Sequence, residues 1–440
     1  MRNRTSSLVT VLSMLAVIAS CGGGASNPVV DSEPPRTTTI APRSNDGILR
    51  IGLLIPRSGP GASIGEPLVP IVEAAVEAVN QAGGVNGRPV ELVVEDEGGD
   101  SATALSAIDA LVLENSVDAV IGPFSSPVAL STLPTLISDN VGVCSPAATT
   151  ASLTNFPDRG MFVRTSPSDS LAALAMAQEV AGTGIRTTAL AFPDDPFGRD
   201  FANDVRRALG LQGITIATEV QYDPGDDDYT QEVTSVTDTQ VVTLIGDDES
   251  GARFLSTTLT TFSDALVIVN DSLARTDFAS DPMLETAGRA KVTGVAVDSA
   301  AGFDDLYASL RPAGLDLPPG SPRPGDSPFT EPAPSPVPFA TAAADCVNLL
   351  ALSALATSSD DPVVFMAEAI PTSRGGSACS TFAECASLVA AGLNIDYNGA
   401  TGLLALSPNG DPSVATFVTF GFDDEGKAEY RSEIGVISAP

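Results

Sequence analysis

Two short stretches carry side chains suited to holding a small anion: Ser125 and Ser126 in I-G-P-F-S-S (121–126), and Thr149 and Thr150 in V-G-V-C-S-P-A-A-T-T (141–150). Each is an apolar run that breaks into small polar residues. In an α/β protein such a break marks the carboxyl end of a parallel strand opening into a loop, where free backbone N–H groups and helix N-termini bind ligands. Serine and threonine hydroxyls add donors for a carboxylate or phosphate. The same residue types also cap helices and form turns, so the stretches alone leave both roles open.

Other chemistries are narrowed by composition. The chain of 440 residues has no histidine. That removes Ser-His-Asp and Cys-His catalysis, His-ligated zinc and histidine pH switching. Adjacent acids occur at Asp194-Asp195 and Asp247-Asp248, the only pairs suited to a carboxylate-dependent hydrolase. With a net charge of −33, such pairs arise by chance. The same charge disfavours nucleic acid and anionic lipid as partners. No residue pattern calls for a metal or cofactor.

The elements that position these residues begin after a processed N-terminus. Arg2 and Arg4 precede an apolar run, Leu8–Ile18, and then Ile18-Ala19-Ser20-Cys21. The run is too short for a stable membrane span, so 1–20 reads as a signal peptide. The four residues ending at Cys21 resemble a bacterial lipobox, which makes Cys21 the expected lipidation site and the cell membrane the expected location. Residues 21–47 read as lipid anchor and disordered tether. No second apolar run is expected to span a membrane. Four cysteines remain, and an even number in an exported chain suggests two disulfides. Cys379 and Cys385 are close enough in sequence to close a small loop, leaving Cys144 for Cys346; free buried thiols are the alternative.

From Leu49 onward, apolar runs alternate with helical patterns. Leu49–Ile55, Pro89–Val94, Asp118–Ile121 and Val141–Cys144 read as strands, with helices over 67–81, 102–114 and 127–138. The plan restarts after Arg164-Thr165-Ser166-Pro167. Strands are expected at 187–192, 214–220, 241–245, 265–270 and 292–297, and helices at 200–209, 229–237 and 249–262. Such repetition predicts two α/β lobes with parallel sheets. The proline-dense stretch 311–339 reads as a surface insertion, 341–357 as a helix, and 395–440 as short strands.

Several motifs in order carry a resemblance: I-G-L-L-I-P-R-S-G (51–59), N-Q-A-G-G-V-N-G-R (80–88), V-V-E-D (93–96), I-G-P-F-S-S, S-P-A-A-T (145–149), A-A-A-D-C-V-N-L-L-A-L (342–352) and D-Y-N-G-A-T-G (396–402). Together they resemble the leucine/isoleucine/valine-binding branch of type I periplasmic binding proteins, over about residues 48–435. The resemblance implies two Rossmann-like lobes joined by three crossovers, the first lobe over 48–165 plus 300–390 and the second over 166–299 plus 391–437. It places the helix carrying Cys346 in the same lobe as Cys144. It also implies that Gly59, Gly61 and Gly65 face the cleft and bind no nucleotide; their spacing departs from G-x-G-x-x-G by one residue.

The family holds an amino acid between its lobes. Motif by motif, Ser126, the backbone of Ala147 and Thr149 take the α-carboxylate. The family's D-x-x-Y-G aligns with Asp194–Gly198, where Phe197 replaces the tyrosine and loses its hydroxyl. Asp247 stands at or beside another family tyrosine. Asp271 matches the acid that pairs with the ligand's ammonium. A zwitterion leaves water only if both charges find partners, which ties binding to closure. The expected function is an extracytoplasmic solute-binding lipoprotein, not an enzyme, serving an ABC-type permease. A sensor of the same fold and a carboxylate hydrolase are the alternatives.

Overall fold

The structure, a computed structural model, describes residues 45–59, 61–236, 239–247, 249–275, 291–297, 302–315, 337–423 and 428–438. The expected signal peptide, Cys21 and Asp248 lie outside these residues, as does most of the proline-dense stretch.

The first lobe is built on five parallel strands: β1 (Arg50–Ile55), β2 (Glu91–Asp96), β3 (Ala119–Ile121), β4 (Gly142–Ser145) and β5 (Phe162–Arg164), in the order β2-β1-β3-β4-β5. Its helices in this part are α1 (Ala62–Gly65), α2 (Val69–Gln81), α3 (Ser101–Asp109) and α4 (Ser126–Ser138). In α2 the residues Ile71, Val72, Ala75, Val76 and Val79 are buried, because they recur at helical spacing on one face. The helix ends where Gly83 and Gly84 take positive φ, and the Gly84 N–H donates to the Val79 carbonyl at 3.0 Å, six residues closing one terminal loop.

The second lobe holds seven strands. β6 (Thr187–Pro193), β7 (Thr215–Tyr222), β8 (Val241–Leu244), β9 (Leu266–Asn270) and β10 (Val292–Val297) are parallel, while β14 (Val414–Phe422) and β15 (Ala428–Ile437) add an antiparallel edge. Helices α5 (Asp169–Gly182), α6 (Pro196–Leu211), α7 (Thr230–Thr234) and α8 (Ser250–Thr261) cover it. Neighbouring residues of β9 serve opposite cores: Ile268 packs on one face, Val267 and Val269 on the other. A sheet covered on both faces must be apolar on both, which is why its strands read as continuous apolar runs. Where β10 meets β14, a Cβ on Gly294 would fall 1.8 Å from the Phe420 ring, so only glycine lets that ring lie across the strand.

After β10 the chain returns to the first lobe through α9 (Phe303–Leu310), α10 (Ala340–Thr357), α11 (Pro362–Thr372) and α12 (Phe382–Ala390). Among the described residues, α10 is long and apolar enough to cross a membrane. It is instead the first lobe's central helix, with Leu349, Leu350 and Leu352 fully buried. The Sγ atoms of Cys144 and Cys346 lie 2.00 Å apart, and those of Cys379 and Cys385 lie 2.09 Å apart.

One lobe boundary differs from the sequence expectation. A small sheet of β11 (Ser377–Cys379), β12 (Ile395–Gly399) and β13 (Gly402–Leu403) belongs to the first lobe, and Ile395, Tyr397, Leu404 and Leu406 join its core. The third crossover therefore falls between Leu406 and Val414, not at 391. The cause is Asp345 on α10. Its buried carboxylate accepts from the Tyr397 hydroxyl and the Ala400 N–H (both 2.8 Å), and from the Thr401 N–H (2.8 Å) and hydroxyl (2.6 Å). Those four donors hold D-Y-N-G-A-T-G against the first lobe. Burial pushes the Asp345 carboxyl up from its ordinary range, and the same donors oppose the shift.

Candidate ligand cleft

The carboxyl ends of the two sheets face a cleft of about 1090 Å³. Its first-lobe wall includes Phe124, Ser125, Ala147 and Thr149; Phe197, Asn270 and Asp271 line it from the second lobe, and Thr165–Asp169 from the crossover.

Buried or capping charges hold the loops that form this wall. Asp96, at the end of β2, accepts from the N–H groups of Arg57 (2.8 Å), Ser58 (3.2 Å) and Gly98 (2.8 Å). Partial burial opposes ionisation, but these donors outweigh it and its carboxyl drops to about 2. Glu97 is fully buried and accepts from the N–H groups of Phe124 (2.5 Å) and Ser125 (3.2 Å) and from the Ser125 hydroxyl (3.0 Å). Burial raises its carboxyl above the usual range against these bonds. Arg164 holds the third loop. Its guanidinium donates to the carbonyls of Ala148 (3.0 Å) and Thr150 (2.9 Å), to the Thr154 hydroxyl (2.9 Å), and to both oxygens of Asp411 (2.7 and 2.8 Å). With the carbonyls turned to Arg164, the loop is fixed in one conformation, which is what preorganised binding requires.

The expected site residues divide. Ala147, Thr149, Phe197 and Asp271 line the cleft. Phe197 is 41% exposed and rests against Phe201, with ring centroids 5.8 Å apart. The hydroxyl of Ser126 instead accepts from the Thr150 N–H at 3.2 Å, while its neighbour Ser125 reaches the cleft wall. Asp247 is a helix cap. Its carboxylate accepts from the N–H groups of Glu249 (2.8 Å), Ser250 (2.5 Å) and Gly251 (3.3 Å) and from the Ser250 hydroxyl (2.9 Å), and it does not line the cleft. Burial opposes its ionisation, but the bonds at the start of α8 win and hold its carboxyl below the usual range. Asp195 likewise caps α6 through the Gly198 N–H at 2.7 Å, and Asp194 pairs with Arg199 and Gln221. Neither described member of the first acid pair, nor Asp247 of the second, sits in the cleft.

The lobes also meet directly. Asp200, on α6, accepts from the first-lobe hydroxyls of Thr150 (2.8 Å) and Ser152 (2.5 Å).

A profile of the periplasmic binding protein family matches residues 48–301, more than half of the chain. The chain belongs to the periplasmic binding protein family. Its fold is that family's type I form, two mostly parallel α/β lobes, and the family is one of binding proteins rather than enzymes. Among its relatives, the Leu/Ile/Val-binding protein BraC3 of Rhizobium johnstonii is 26% identical over 52% of this chain, and the match spans 63% of BraC3. The chemotactic signal transduction system substrate-binding protein BasB of Halobacterium salinarum is 27% identical over 82% of this chain and 84% of its own. The crystal structure of an ABC transporter substrate-binding protein from Desulfitobacterium hafniense, in complex with Leu, superposes with a TM-score of 0.64 at 19% identity, covering 87% of this chain and 99% of that one.

Sequence reasoning passed over the crossover segment of this binding protein. Ser166 is 2% exposed and its hydroxyl has no partner, although it lines the cleft. Asp169 begins α5, and its N–H donates to the Thr149 carbonyl at 2.8 Å. Burial pushes its carboxyl up to about 7; the Thr149 hydroxyl and Arg164 oppose the shift, while Asp271 and Asp204 add to it. The signal was R-T-S-P-S-D itself: a Ser-Ser-Asp series between two lobes is more polar than a connection needs to be.

Proposed function

We propose that this protein is an extracytoplasmic solute-binding lipoprotein that captures an amino acid or related amide between its lobes and delivers it to an ABC-type permease. The supporting observation is the make-up of the cleft wall: Ala147 and the hydroxyl-bearing Thr149 on one side, the Asp271 carboxylate on the other. Donors on one lobe meet the ligand's carboxylate and Asp271 meets its ammonium, so both charges leave water only when the lobes close. Thr149, Ala147, Phe197 and Asp271 are the proposed contacts. Ser126 acts through Thr150, and Asp247 has no ligand role. The names of BraC3 and of the Leu-bound structure favour an aliphatic amino acid. Lipidation of Cys21 and oxidation of both cysteine pairs belong to the same reading.

Calorimetry with L-leucine on Asp271→Ala and Thr149→Val tests it. A charge-assisted hydrogen bond contributes about 1.5–3 kcal/mol, so Asp271→Ala weakens binding by at least about tenfold. Thr149→Val costs less, because backbone donors remain. Wild-type affinity in Asp271→Ala means that no ammonium sits there.

BasB supports a second reading, a chemotactic or other sensor, since the match to it covers most of both chains. Uptake of the bound solute in a deletion strain separates the two: a transport role predicts its loss, a sensory role predicts normal uptake.

A further inference from the structure

A second cavity opens on the first lobe, apart from the cleft. It measures about 320 Å³, and none of its lining residues lines the cleft. Three stretches far apart in sequence build it: the end of α10 at Ala356, the end of α11 with the turn after it (368–375), and the end of α12 running into β12 (389–395). Its size is that of a small-molecule site rather than of one trapped water.

The polar groups of this cavity lack partners. Glu368 and Thr372 are four residues apart on α11, so they share one face of that helix. Thr372 is 2% exposed, and its hydroxyl has no partner. Exposed charges are ordinarily solvated, but a buried hydroxyl left unpaired in the same wall is unfavourable unless something beyond the chain satisfies it. Glu368 is half-buried and bonds to no described residue; burial alone raises its carboxyl. Arg374 stands just past the end of α11 with its side chain exposed, and among the described residues it has no partner either. An acid and a guanidinium thus line one cavity without pairing with each other or with a neighbour. Pro371, Val389 and Leu393 add apolar wall beside them.

We propose that this cavity is a second solute site, which takes a small aliphatic zwitterion such as a free amino acid. The planar guanidinium of Arg374 receives the carboxylate through paired N–H donors. Glu368 and the Thr372 hydroxyl receive the ammonium, and the apolar wall covers the side chain. A simple anion would leave Glu368 facing a like charge, and a simple cation would do the same to Arg374; a zwitterion answers both. The site does not depend on which solute the cleft holds.

The test is protection of Arg374 from phenylglyoxal, an arginine reagent, read by peptide mapping of the exported protein. L-leucine at about 10 mM slows reaction at Arg374 by at least about fivefold, as a Kd of about 1 mM requires. Two analogues, 4-methylpentanoate without the ammonium and L-leucinamide without the carboxylate, give little protection. Glu368→Gln loses most of the protection by leucine, whereas Asp271→Ala, altered only in the cleft, keeps it. If Glu368→Gln does not fold, the wild-type protein with leucine and its two analogues decides alone. Absence of protection by leucine overturns the site. So does equal protection by either analogue, protection indifferent to Glu368→Gln, or protection that disappears in Asp271→Ala and so traces to the cleft. None of these outcomes touches solute capture between the lobes, which stands or falls by the calorimetry on Asp271→Ala and Thr149→Val.

Discussion

Arg164 and Asp411 are 247 residues apart in sequence and form a two-point ion pair in which the side chains are 0% and 8% exposed. Arg164 ends the last strand of the first lobe before the chain crosses, and Asp411 precedes its return to the second lobe. Removing one partner of a buried pair leaves an uncompensated charge and costs about 3–5 kcal/mol. Asp411→Asn and Arg164→Met will each lower the urea midpoint. Arg164→Lys keeps the charge but loses the fork, so it will remain clearly less stable than wild type. Ligand affinity will fall in all three, since the guanidinium also orients the Ala148 and Thr150 carbonyls. A stable Arg164→Met protein with unchanged affinity would contradict this account.

Asp200 ties the lobes through Thr150 and Ser152. Asp200→Ala removes both bonds and shifts the ligand-free population toward open forms. The measurable outcome is a larger radius of gyration in solution scattering without ligand, together with a faster ligand off-rate. An unchanged scattering curve and off-rate would mean that the contact contributes nothing to closure.

The pH dependence follows from Asp169. Its carboxyl titrates near 7 in the folded protein and near 3.8 when exposed. Between these values the folded state holds a proton that the unfolded state lacks, so stability falls as pH rises from about 4 to about 7, then levels. Asp169→Asn will flatten that part of the ligand-free profile. Thermal melts of both proteins across this window measure the effect, and parallel profiles would refute it.

At the N-terminus and the cysteines the expectations are chemical. Cys21→Ala will release the protein from membranes or block its maturation, read by fractionation. Non-reducing peptide mapping of the exported protein will recover Cys144–Cys346 and Cys379–Cys385. Free thiols at all four positions would refute both pairings.

The lobes and most of their elements were legible because each follows from local rules. Apolar runs gave the strands, and helical spacing with the Gly83-Gly84 stop gave α2. The cleft was legible where a motif ends a strand, as at Ala147, Thr149 and Asp271. It was illegible where the decisive partner is remote. Ser126 and Asp247 have the right chemistry for a ligand, but neither lines the cleft: the Ser126 hydroxyl accepts from Thr150 and the Asp247 carboxylate from the start of α8. Asp345 fixed the lobe boundary through donors more than fifty residues away, beyond any periodicity. Glu97, Arg164 and Asp411 look like surface charges in the sequence, and only burial shows that they hold loops.

Arg164 bonds to the same Thr150 whose hydroxyl reaches Asp200. The first-lobe half of the interlobe contact is thus fastened to the pivot and cannot drift after its partner as the cleft widens. A flexible loop would let the gap open by degrees, stretching contacts in turn. A fastened one has no such play, so widening the cleft would break the Asp200 bonds rather than stretch them.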